Sequence, residues 1–88
     1  MIFAIAYDIK DLERESRFLR RMNELGTNIQ YLPNSFFIQC EDTTATLLYN
    51  NLRELTDDVD RLLITQVNKT ALMGWLNTTV VNWIKEHN

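Results

Sequence analysis

The sequence is poor in the residues that most small-protein chemistries need. It has 88 residues but one cysteine, one histidine, one proline and two glycines. A single thiol, Cys40, excludes a disulfide framework and any thiolate-rich metal site. The only histidine, His87, is the penultimate residue, so no Cys/His or Ser/His arrangement for nucleophilic catalysis can be assembled. Two glycines, Gly26 and Gly74, lie too far apart to form a phosphate-cradling loop. Positive charge is also short, with nine Lys and Arg against twelve Asp and Glu and a net charge of −3. That balance argues against a protein that coats nucleic acid by bulk attraction. The apolar opening MIFAIAY lacks a basic flank and is too short for a signal peptide or a membrane span, so a cytoplasmic protein with no membrane partner is expected. Asn-x-Thr triplets at Asn68 and Asn77 then read as chance matches to a glycosylation signal.

What is present is a core. Hydrophobic residues make up 45% of the chain, enough for one domain over residues 1–88. A chain this short buries a modest fraction of its surface, which makes a homodimer the expected state. Residues 2–8 alternate Ile2, Ala4, Ala6 and Asp8 with Phe3, Ile5 and Tyr7. Both faces are apolar until Asp8, as in a central strand covered on both sides. Asp11 is a candidate N-cap, and Phe18, Met22 and Leu25 give helical spacing up to Gly26. Residues 28–32 and 35–40 form a hairpin around Pro33-Asn34. Asp42 or Thr43 caps a second helix with the stripe Ala45, Leu48, Leu52 and Leu55, and residues 61–67 form a fourth strand. The order strand, helix, strand, strand, helix, strand predicts an α+β, ferredoxin-like βαββαβ core over residues 1–68. Residues 69–88 add a helical extension. Its helix starts near Asn77 or Thr78, and its stripe is Leu76, Val80, Trp83 and Ile84.

Several side chains invite a functional reading. Asp8, closing an apolar strand, could hold Mg²⁺ or Mn²⁺ as a hard oxygen ligand, or it could bond the turn into the first helix. Arg14, Arg17, Arg20 and Arg21 concentrate the positive charge on one helix and could contact phosphates. Alternatively they form a solvated face with pairs such as Glu13–Arg17. Tyr31, Phe36 and Phe37 could stack bases, but the strand 35–40 carries no Lys or Arg, which favours packing. Trp75 and Trp83 read as docking anchors, Cys40 as a small buried hydrophobe, and His87 as a frayed end.

Tyr7-Asp8-Ile9 closing the first strand, the arginine-bearing helix, Gly26, Gln30 and Ser35-Phe36-Phe37 resemble the small CRISPR-associated adaptation subunit of the Cas-two family. The Ser35–Ile38 and Leu62–Val67 strands and Gly74-Trp75-Leu76 before a tryptophan-containing helix are similar to its SinR-like relatives. Virulence-associated protein D toxins share a similar opening strand. The resemblance implies a ferredoxin-like homodimer associated with nucleic acid. It implies that Asp8 is the catalytic residue and metal ligand of a metal-dependent endonuclease, with two copies facing each other at the dimer axis. The chain departs from that family in its acidic charge and in the Trp75–His87 region, which stands where the family exchanges a C-terminal strand. The rival expectation is a non-catalytic homodimeric interaction module, serving defence, a toxin–antitoxin pair or a mobile element.

Overall fold

A computed structural model describes residues 1–87. The α+β expectation holds. One open, fully antiparallel four-stranded sheet is built from β1 (Ile2–Asp8), β2 (Thr27–Leu32), β3 (Ser35–Gln39) and β4 (Arg61–Gln66) in the order β2-β3-β1-β4. Three helices accompany it: α1 (Leu12–Leu25), α2 (Ala45–Arg53) and α3 (Thr78–Glu86). Among the described residues, no helix is long and apolar enough to cross a membrane.

The period-two alternation of β1 sorts its side chains between two cores. Phe3, Ile5 and Tyr7 face α1 and α2, where they pack with Phe18, Met22, Leu48 and Leu52. Ile2 and Ala4 face the opposite way and pack with Phe37, Val80 and Trp83 beneath α3. β1 and β3 are central because only they are apolar on both faces. The last helix therefore docks on its own sheet. It covers the β2–β3 side of the second face through Val80 and Trp83, with Tyr31 stacked on Phe37 at a 4.0 Å centroid separation. The β1–β4 side of that face carries Leu63, which is 67% exposed, opposite Ala6.

Caps set the helix starts. The Asp11 carboxylate accepts from Arg14 N–H, as its position before the apolar stripe predicts. α2 starts one residue later than a Thr43 cap would place it, and two later than an Asp42 cap would. Thr44 is the cap, its hydroxyl accepting from Leu47 N–H, while Asp42 takes a left-handed backbone (φ 53°) in the turn before it. The two Asn-x-Thr triplets are caps too. Asn68 accepts from Thr70 N–H ahead of a single 3₁₀ turn (Lys69–Ala71), and Asn77 accepts from Thr79 and Val80 N–H at the start of α3. Leu55 lies past the end of α2, outside its stripe.

Gly26 sits after α1, but not for its tolerance of left-handed backbone, since its φ of 176° is extended. A Cβ there would lie 2.1 Å from the Gln39 carbonyl oxygen of β3. The close approach of two backbones is what requires glycine. Gly26→Ala is expected to lower unfolding free energy by roughly 1–3 kcal/mol through overpacking, read as a lower denaturant midpoint.

Candidate functional site

Asp8 ends β1 opposite Arg61 of β4. Its carboxylate is 54% exposed, and Lys10 Nζ lies 2.6 Å from Oδ2. This is an ion pair within one tight turn, on the surface. Among the described residues, no group of three or more His, Cys, Asp or Glu side chains is arranged to hold a metal ion. Asp8 is thus a single accessible carboxylate at the rim of a shallow depression that it shares with Ala6, Tyr7, Arg61, Leu62 and Leu63. A cation bound there would share the carboxylate with the Lys10 ammonium, which engages Oδ2.

The turn into α1 is organised by a different carboxylate. Asp60 is buried, its side chain fully withdrawn from solvent. It accepts two bonds from Arg14, Nε to Oδ2 and Nη2 to Oδ1, both at 3.0 Å. It also accepts from the backbone N–H of Lys10 at 2.9 Å and of Asp57 at 2.8 Å. The Arg14 guanidinium, ahead of the two backbone donors, holds the Asp60 carboxyl well below the usual carboxylate range despite its desolvation. Asp60 therefore clamps the β1–α1 turn to the loop before β4. It does the work that the turn-bonding reading gave to Asp8. Its Arg14 and Lys10 partners lie 46 and 50 residues away, so no local pattern signals the clamp.

The arginines of α1 do not point to one place. Arg14 is committed to Asp60, with Asp57 at 4.0 Å. Arg17 pairs with Glu13 at 3.0 Å, the i, i+4 partner expected from the sequence. Arg21 donates to Asn51 of α2 at 2.7 Å and approaches Glu24 at 3.9 Å. Arg20 is exposed. A phosphate-binding face on α1 would therefore centre on Arg17 and Arg20. The aromatic side chains of the sheet are packed. Phe36 lies against the α1–α2 core, while Phe37 and Tyr31 lie beneath α3. Tyr7 packs on Phe18 and donates its hydroxyl to Glu15 at 2.6 Å. Burial first, and then that negative partner, raise its pKa. Cys40 is buried as expected, and burial pushes its thiol pKa up.

The two tryptophans separate sharply. Trp83 is 9% exposed and anchors α3. His87, expected to fray, stacks on it at a 4.2 Å centroid separation, with Nδ1 2.7 Å from the Trp83 carbonyl oxygen. Trp75, expected to dock, is 101% exposed, and Met73 beside it is 95% exposed. Both border a groove of about 750 Å³ between α3, the sheet and the segment 67–76. Ala4, Phe37, Val67, Leu72, Leu76 and Ile84 give it apolar walls. A signal for this was in the spacing. Trp83 falls on the helical stripe seven residues after Leu76, whereas Trp75 precedes the helix.

Fold and surface together define a small α+β protein whose most distinctive feature is an open apolar groove with an unburied tryptophan on its lip. No family model matches the sequence, and no curated protein matches it.

Proposed function

We propose that this chain is a non-catalytic homodimeric interaction module built on a ferredoxin-like core. The strand order and the helix-covered first face support that fold assignment. One observation carries the functional reading: Met73 and Trp75 stand in water beside an apolar groove. Large contiguous apolar patches on small proteins mark interaction sites. The candidate polar chemistry, by contrast, is already engaged. Asp8 is paired with Lys10, and Arg14, Arg17 and Arg21 are bonded to acceptors of the same chain. The setting that fits this module is the cytoplasm. Sedimentation velocity over a concentration series tests the reading. A dimer is the expected species, and a monomer throughout the series would sink the proposal.

The second reading keeps the Cas-two-like chemistry. In it, an exposed Asp8 at the end of a central strand recruits Mg²⁺ or Mn²⁺ with its symmetry mate, and Arg17 and Arg20 contact a nucleic acid. The accessible position of Asp8 favours it. If this chemistry operates, purified protein cleaves single-stranded RNA or DNA with Mn²⁺, and Asp8→Ala reduces the rate at least ~100-fold, the scale of losing a charge-stabilising group. The interaction-module reading expects no metal-dependent cleavage above a blank and no change on Asp8→Ala.

A further inference from the structure

We infer that two copies of this chain join by reciprocal insertion, the Trp75 indole of each seated in the apolar groove of the other. The inference rests on the proposed interaction-module reading and names the contact that would make it. The chain carries both halves of such a contact. The knob is Trp75, fully in water, with Met73 beside it. The hole is a groove of about 750 Å³, within the roughly 300–1,000 Å³ range of pockets that enclose drug-sized groups. A contact made of a knob and a hole on the same surface can be satisfied twice by a two-fold axis, and it then closes as a dimer.

Area favours a second copy as the occupant. An aromatic side chain buries about 150–250 Å². Two insertions, each covering an indole and a similar area of wall, supply roughly half of a standard interface of about 1,200–2,000 Å². Met73 and Leu63, both largely exposed on the same side of the sheet, extend it. A tryptophan seated in a desolvated pocket is also the residue type that dominates interface energetics.

Complementation distinguishes this arrangement from any other dimer. Trp75→Ala removes the knob, which also forms the groove's lip, and leaves the apolar walls of Ala4, Phe37, Val67, Leu72, Leu76 and Ile84. Ala71→Glu places a carboxylate in the groove wall and leaves the knob, at a position exposed in the single copy. Neither position is buried, so both variants are expected to fold, which circular dichroism checks. Each variant alone is expected to dimerise at least ~30-fold more weakly than the unaltered chain. Mixed one to one, they form a heterodimer with one intact insertion, seen by sedimentation equilibrium as mass recovered at concentrations where each alone is monomeric. Emission from Trp75, isolated as the difference between the unaltered chain and Trp75→Ala, shifts to the blue as the dimer forms. A dimer whose affinity is unchanged by Trp75→Ala overturns the inference and leaves the interaction-module reading standing. Weakening by both variants without recovery on mixing also overturns it, since the two sites would then not meet across the interface. An unaltered chain that stays monomeric overturns both.

Discussion

Asp60→Ala is expected to lower the melting temperature by about 10 °C or more, on the scale of removing one member of a buried ion pair in a domain this small. The substitution strips four hydrogen bonds at once. It leaves the Arg14 guanidinium, only 22% exposed, without its bidentate partner, and the Lys10 and Asp57 N–H groups without acceptors. Asp60→Asn keeps the shape but loses the charge and part of the acceptor capacity, so it falls between. The double variant Asp60→Ala with Arg14→Leu should lose less than the sum of the two single changes, because the guanidinium is no longer stranded.

The same carboxylate fixes a pH dependence. Its folded pKa lies below the unfolded carboxylate value of about 3.9. A lowered folded pKa means that the unfolded chain binds the proton more readily. The stabilisation is thus complete above that unfolded value and is lost as pH falls through the acid range beneath it. Asp11, held low first by the Arg14 N–H at the α1 cap, adds to the same limb. Thermal melts between neutral pH and pH 2 check this. The unaltered chain should lose stability below about pH 4, and Asp60→Ala should show a flatter acid limb. An equally steep limb in the variant would contradict the role given to Asp60.

Trp83→Ala is the second large effect, at about 3–5 kcal/mol. The indole is the largest side chain between α3 and the sheet, and it packs with Ile2, Phe37 and Val80. Removing it opens a cavity and frees the stacked His87 ring. It also loosens the helix that forms one wall of the groove, so dimerisation should fall with stability. Trp75→Ala is the matched control. The same residue type, eight positions earlier and fully in water, should change monomer stability by no more than about 0.5 kcal/mol. Denaturant titration of the two variants at low protein concentration separates them.

These contrasts show what the sequence can carry. β1 and α1 are legible to the residue. An unbroken two-face apolar run and a clean 3.6-residue stripe between Asp11 and Gly26 are local signals, and the folded chain obeys them. The start of α2 was less determinate because three adjacent residues, Asp42, Thr43 and Thr44, can all cap. Turn geometry, with Asp42 left-handed, selects the last of them. Asp60 was not legible, because a clamp onto Arg14 and Lys10, 46 and 50 residues away, leaves no periodicity. Asp8 drew attention by closing an apolar strand, yet the buried work at that turn is done by its neighbour across the loop. The spacing set Trp75 off the α3 stripe, but its full exposure depended on how residues 67–76 leave the sheet, which no local pattern encodes.

Sedimentation equilibrium on the full chain tests the central claim most directly, with the unaltered protein and Trp75→Ala run side by side across a concentration series. Reciprocal insertion predicts a monomer–dimer equilibrium for the first and a shift of at least ~30-fold toward monomer for the second. Superimposable curves for the two proteins, whether both monomeric or both dimeric, would contradict it.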